Sequence, residues 1–268
     1  MNTARHARRD RGSATPWIIA AVAVAVVAAA VVAVVANSGD DGGTSDVAAV
    51  VAAATAVPAS VADEVGLGVT NGVPQAIEGT PLTIDGKPQI FYAGAEYCPF
   101  CAAERWAMVV ALSRFGTFSG LGLTKSAHED VYPDTETFTF HGSSYTSEYL
   151  AFTPYELFDN QPTGNGGYGP LDTLPADLQA EWQRIDPNMS FPFIDFGGEY
   201  AVSGGGYDVR IINGRSALEI AEALSDPTDG VARAVVGTAN ALTAAICQLT
   251  DQQPTAVCSS TAVTAVTL

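Results

Sequence analysis

Gln89-Ile90-Phe91-Tyr92-Ala93-Gly94-Ala95-Glu96-Tyr97-Cys98-Pro99-Phe100-Cys101-Ala102-Ala103-Glu104-Arg105-Trp106 joins two kinds of local structure at a pair of cysteines. Gln89 to Tyr92 reads as a strand. Leu82 to Ile84 reads as its hairpin partner, with Asp85-Gly86 supplying the turn chemistry. From Ala102 the residues are mostly good helix formers, so a helix is expected to about Phe115. Trp106, Val109, Val110 and Ser113 mark its apolar face, and Gly116 its stop. Cys98 and Cys101 then sit where a strand becomes a helix. Free N–H groups and partial positive charge at a helix start stabilise a thiolate. Pro99 is tolerated there, because the first-turn N–H it lacks has no helical partner. Cys98, the more N-terminal and more exposed thiol, is the expected nucleophile. Cys101, one turn deeper, is the expected resolving thiol, which releases a mixed disulfide.

Outward from this stretch, Thr135 to His141 alternates like a strand and Tyr149 to Phe152 reads as another. Phe158 to Leu171 reads as a loop. Leu174 to Ile185 reads as a helix opened by Thr173 and Pro175. Phe193 to Phe196 and Tyr200 to Val202 read as strands around a Gly197-Gly198 turn. Ser216 to Leu224 and Gly230 to Leu249 read as helices separated by Asp226-Pro227. The order is that of an α/β protein. Asp46 to Glu64 is expected to hold one or two helical turns, and Thr70 to Thr80 to be irregular.

Charge divides the chain. Net charge is −17 over 268 residues, with 47% hydrophobic residues and only 15% charged. The acid excess argues against nucleic acid as a partner, and the aromatic content argues against disorder. Residues 1–16 carry Arg5, Arg8, Arg9 and Arg11 against Asp10, a local +3 that leaves −20 for the rest. Trp17 to Ala36 is twenty apolar residues, enough to cross a hydrocarbon core of about 30 Å as a helix. The arginines place its N-terminal end in the cytoplasm and all that follows Asn37 outside. The other reading is a cleaved signal peptide ending at Val34-Val35-Ala36, although the run is long for one. Residues 37–80 form a linker and juxtamembrane segment, 81–250 the folded domain and 251–268 a C-terminal tail. No second long apolar run follows, so electrons crossing the membrane would need a separate membrane redox partner.

The run Ala95 to Cys101 resembles the active-site turn of the thioredoxin superfamily. Its Pro-Phe dipeptide is closest to glutaredoxins, and its leading proline is shared with periplasmic oxidants of the Dsb type. Phe191-Pro192-Phe193-Ile194-Asp195-Phe196-Gly197-Gly198-Glu199 resembles the segment in which that superfamily sets a cis-proline opposite the cysteines. Cys98 to Gly116, with Glu129 to Phe140, is similar to an uncharacterised family of membrane-anchored, thioredoxin-like proteins from archaea and actinobacteria. The likeness covers roughly Pro81 to Leu249. It implies a thioredoxin-like fold, with a central mixed sheet flanked by helices, behind one N-terminal transmembrane helix. It implies Cys98, Cys101 and Pro192 as the catalytic set, with Tyr97, Pro99, Phe100 and Glu104 supporting. Residues 120–190 would be an insertion between the active-site helix and the Pro192 strand. Tyr92 stands where thioredoxin has a buried Asp, so Glu104 or Glu96 becomes the candidate proton acceptor.

Cys247 and Cys258 are expected to form a structural disulfide that ties the tail to the last helix, the alternative being a redox relay. A zinc site built from Cys98, Cys101 and His128 or His141 matches no familiar spacing. No metal and no cofactor is expected. The glycines of 164–169 and 204–206 read as loops, and Tyr145, Tyr149, Phe152 and Tyr155 as packing rather than a peptide groove. The expected function is an extracytoplasmic, membrane-anchored thiol–disulfide oxidoreductase acting on cysteine-containing exported proteins, oxidation or isomerisation being favoured over reduction. The alternative is a membrane-tethered binding or assembly module whose Cys98–Cys101 disulfide never turns over.

Overall fold

Asp85 and Gly86 both take left-handed φ values, 51° and 77°, which suits a two-residue hairpin turn. They connect β2 (Thr83–Ile84) to β3 (Lys87–Gly94), with Ile84 paired to Lys87. The computed structural model describes Met1 and residues 42–268. The basic stub, the apolar run Trp17 to Ala36 and residues 37–41 of the linker lie outside the described residues. Asp46–Leu268 form one compact unit, which holds the sheet.

β3 is the central strand of a mixed sheet. β11 (Phe193–Phe196) pairs with it antiparallel on one side, and β8 (Ala151–Glu156) pairs with it in parallel on the other. β12 (Tyr200–Ser203) and the short β1 (Gln75–Ala76) extend the sheet beyond β11. Side chains alternate across the strand, as its period of two requires. Phe91 and Ala93 face α4 (Ala176–Ile185), packing with Leu178 and Trp182. Ile90 and Tyr92 face the larger core, which holds α3 (Pro99–Leu112) and α6 (Gly230–Leu249). The architecture is therefore a central mixed sheet flanked by helices, as the element order predicts.

Several local expectations are corrected. α3 is not amphipathic: every residue in it except Phe100 is buried, Glu104 and Arg105 included. The sheet, α6 and β6 (Glu136–Thr139) enclose it. The helix ends at Leu112, and Gly116 instead opens β4 (Gly116–Ser119), which pairs with β7 (Ser144–Ser147). β5 (Gly122–Lys125) pairs with β6. Residues 120–190 are not a simple insertion, because they contain β8, a neighbour of the central strand. Phe158 to Leu171 is a hairpin rather than a loop: β9 (Phe158–Thr163) pairs with β10 (Gly167–Pro170). Tyr145 and Phe152, by contrast, pack with Phe118 and Phe140 as expected.

The expected juxtamembrane turns are two full helices, α1 (Gly42–Thr55) and α2 (Ala59–Val65). Val50, Ala54 and Ala62 belong to the main core. Asn240 on α6 donates to the Ala62 and Gly66 carbonyls at 2.9 and 2.7 Å. At Gly237 the backbones approach so closely that a Cβ would lie 2.4 Å from the Leu67 oxygen. α6 is long and apolar enough to cross a membrane. However, 89% of its most apolar window is buried in the fold, and α1 and α2 meet the same criterion only as a pair bent by 65°.

α5 (Ala217–Ala223) is opened by a capping box between Ser216 and Glu219. The C-terminal residues form two short helices, α7 (Thr255–Cys258) and α8 (Thr261–Thr264), not a loose tail. Cys247 and Cys258 are disulfide-bonded with their Cα atoms 5.6 Å apart. Ala262 and Val263 are buried, and the Ala262 N–H donates to Asp63. Cys247→Ser/Cys258→Ser is expected to lower the free energy of unfolding by about 3 kcal/mol, the loop-closure contribution of so short a ring. Denaturant titration with and without reductant checks this.

Candidate functional site

β3 ends at Gly94, and the chain turns through Ala95, Glu96 and Tyr97 to place Cys98 at the N-cap of α3. Pro99 occupies the first helical position, as expected. The Cys101 backbone N–H donates to Cys98 Sγ at 3.3 Å. That hydrogen bond is the one a capping side-chain oxygen normally accepts, and it favours a negatively charged acceptor. Both residues are free thiols. Cys98 is 6% exposed and Cys101 fully buried, so the order of exposure is as expected but neither sulfur is open.

The two thiols differ electrostatically. Cys98 is held below the usual thiol range by the hydrogen bond from the Cys101 side chain, with the backbone N–H of Cys101 and the Arg105 charge adding to it against the opposing effect of burial. Cys101 is pushed well up, first by burial and then by donating its proton to Cys98. Of the two, Cys98 is the thiol that ionises first and Cys101 the one that keeps its proton.

Arg105 lies one helical turn beyond Cys101. Its Nε and Nη2 donate to the two Glu156 carboxylate oxygens at 2.7 and 2.6 Å, and Nη2 also donates to the Ala95 carbonyl at 2.8 Å. Both side chains are fully buried. Glu156 ends β8 directly beside Gly94 in the parallel register. A bidentate ion pair thus sits beneath the turn that carries the cysteines. Neither partner stands out in the local sequence pattern. The one available signal is Arg105 itself, a charge four residues past Cys101 in a helix whose one other charged residue is Glu104.

Glu104 does not meet the sulfurs. Its Oε2 accepts the Gly206 N–H at 2.7 Å, its Oε1 is buried without a partner, and burial pushes its carboxyl up to about 7. Glu96 meets only the Thr124 hydroxyl, at 3.4 Å. The carboxylate whose charge acts on Cys101 is Glu156. Tyr92 is buried with its hydroxyl unpartnered, and burial keeps that phenol protonated.

Phe191-Pro192 is a cis peptide bond. Pro192 is buried immediately before β11, where Phe193 pairs with Ala93, and its carbonyl accepts the Gly204 N–H at 2.8 Å. Phe191 and Tyr97 pack against the cluster formed by Ala95, Cys98 and Cys101. Phe100 is 41% exposed. With Asn71, Phe191, Gly205, Tyr207 and Arg210 it lines a cavity of about 480 Å³. Cys247 and Cys258 belong to the core on the α6 side and not to this cluster. His128 pairs with Asp134 and His141 with Asp172, all at the surface. Among the described residues no three His, Cys, Asp or Glu side chains converge as metal ligands do.

Residues 74–165 match the family described as Domain of unknown function (DUF929). The matched stretch runs from β1 through β9. It holds both free cysteines, Arg105 and Glu156, and stops before Pro192 and the disulfide. No curated protein and no solved structure matches the chain.

Proposed function

We propose that the chain is an extracytoplasmic, membrane-anchored thiol–disulfide oxidoreductase on a thioredoxin-like fold. The observation that carries this reading is the Cys98 sulfur at the N-cap of α3, accepting the Cys101 N–H. The place of Pro192, immediately before the strand that pairs with the central one, supports the fold. The uncharged run Trp17 to Ala36 behind its arginines supports the anchor.

In reduction of a substrate, the Cys98 thiolate attacks one sulfur of the substrate disulfide. A Cys98–substrate S–S bond forms as the substrate bond breaks, and the leaving thiolate takes a proton from water. Cys101 then gives up its proton and attacks Cys98 Sγ, which expels the second substrate sulfur and leaves Cys98–Cys101 oxidised. Arg105 stabilises negative charge on either sulfur, and the Glu156 charge opposes it at Cys101. Oxidation of a substrate dithiol runs the same steps backward. The exported compartment favours that direction, with a separate membrane redox partner to reset the pair.

Cys101→Ser is expected to trap cysteine-containing exported proteins as mixed disulfides through Cys98. Reductant should release these adducts, and they should be lost in Cys98→Ser/Cys101→Ser. Absence of adducts, together with a Cys98–Cys101 reduction potential far below about −300 mV, overturns this reading. It would favour a scaffold with a permanent disulfide, the reading that the near-complete burial of both sulfurs supports.

A further inference from the structure

Cys98 is only 6% exposed, and Phe191, which packs against its cluster, also lines the cavity. The covering groups are aromatic. Tyr97 and Phe191 both pack on the sulfur cluster and meet each other edge to face, with ring centres 6.4 Å apart and planes at 79°. Each is braced from behind by a different element. Phe191 rests on Trp182, centres 5.4 Å apart, and Trp182 is fully buried on α4. Tyr97 is stacked on Tyr168 of β10, centres 4.2 Å apart and planes at 10°, and it also touches Phe158 of β9.

The two braces differ in firmness. Trp182 sits in the core between sheet and helix. The β9–β10 hairpin is largely exposed from Gln161 to Gly167, and its turn includes Gly166 at φ +82°. Beyond its own strand pairing it is held by few groups, chiefly the Glu96 N–H on the Phe158 carbonyl and Asn160 on Thr124 and Lys125. Segments with few buried contacts open at low free energy. The Tyr97 backbone is itself pinned, because its carbonyl accepts the Ala127 N–H at 2.9 Å. Opening is then a rotation of the Tyr97 ring as Tyr168 withdraws.

Building on the oxidoreductase reading, we infer that Tyr97 and Phe191 form an aromatic gate over Cys98, braced by Tyr168. The gate selects disulfides carried on narrow, flexible polypeptide segments over those set in a folded surface. A narrow segment reaches the sulfur along the cavity beside Phe100 and Phe191, whereas a broad surface is stopped by the rings. The gate acts on access and leaves the N-cap electrostatics of Cys98 in place.

The test is alkylation of Cys98 in the full chain carrying Cys101→Ser, where it is the one free thiol. N-ethylmaleimide is compared with a polyethylene-glycol-conjugated maleimide of the same chemistry. Tyr168→Ala is expected to raise the rate with the bulky reagent about three- to tenfold, the range set by the worth of one aromatic stack. The small-reagent rate and its pH profile should hardly change, and Tyr168→Phe, which keeps the stack, should behave as Tyr168. Tyr97→Ala, which removes a leaf of the gate, should show the same size effect if Tyr168→Ala does not fold. An unchanged bulky-to-small ratio in both alanine variants overturns the gate, as does a Cys98 that stays inert to both reagents in them. If the ratio changes as expected but Cys101→Ser captures no exported protein and the Cys98–Cys101 bond resists reduction as described above, the gate stands and the catalytic reading falls. Capture with an unchanged ratio keeps the catalytic reading and removes the gate.

Discussion

Arg105→Leu is expected to lower the free energy of unfolding by about 3–5 kcal/mol, because it strands a buried carboxylate. Glu156 has no exposure and takes both of its close ion-pair contacts from this one guanidinium. The Ala95 carbonyl loses its donor in the same substitution. Arg105→Leu/Glu156→Leu removes both charges and should recover most of the loss, as buried pairs replaced by apolar residues usually do. Denaturant unfolding of the three proteins supplies the comparison. A single variant costing under about 1 kcal/mol would mean that water reaches Glu156, contrary to its burial. The same substitution removes a positive charge that favours the Cys98 thiolate. Alkylation of Cys98 at neutral pH should therefore slow, with its pH midpoint moving up.

Glu104→Gln is expected to stabilise the protein at pH 8 by up to about 3 kcal/mol and to change little at pH 4. Burial raises the Glu104 carboxyl from an ordinary 4.5 to about 7 in the folded chain. The folded state therefore holds a proton that the unfolded chain has already released. Its contribution to stability is whole below pH 4.5 and is lost as pH rises through 7. A glutamine cannot ionise, yet its side-chain oxygen still accepts the Gly206 N–H. Asp195 is pushed up to about 6, chiefly by burial, and adds a slope of the same sign to both proteins. Thermal or denaturant melts from pH 4 to pH 8 test the difference. A variant less stable than the parent at pH 8 would show that the charge on the Gly206 hydrogen bond outweighs its desolvation.

The cysteine turn is legible in the sequence because its signals are local. Asp85-Gly86, the strand after it, Pro99 at the first helical position and the good helix formers beyond Cys101 each act within a few residues. The Phe191-Pro192 bond, the Gly197-Gly198 turn and the Cys247–Cys258 pairing are legible for the same reason. What escapes is what the chain assembles over distance. β8 joins β3 in parallel from some sixty residues away, and only that pairing sets Glu156 beside Gly94. β9 and β10 carry no apolar alternation, since Asp159, Asn160 and Gln161 are held by hydrogen bonds rather than by a core. α1 and α2 are runs of Ala and Val without a polar face, which read equally as linker or helix. Glu104 misleads in another way. Spacing along α3 places it near Cys101 in sequence, while the helix turns its carboxyl to the Gly204–Gly206 segment.

The two cysteine pairs also bear on how four thiols sort themselves under oxidising conditions. Each pair is close in sequence, three residues apart at Cys98 and Cys101 and eleven at Cys247 and Cys258. Joining Cys101 to Cys247 instead would close a far longer loop, at an entropic cost about 2 kcal/mol greater than the eleven-residue ring. Even before the sheet forms, proximity alone biases an oxidising chain toward these near partners by more than about tenfold. The preference for near partners is then already present in the unfolded chain, before any tertiary contact forms.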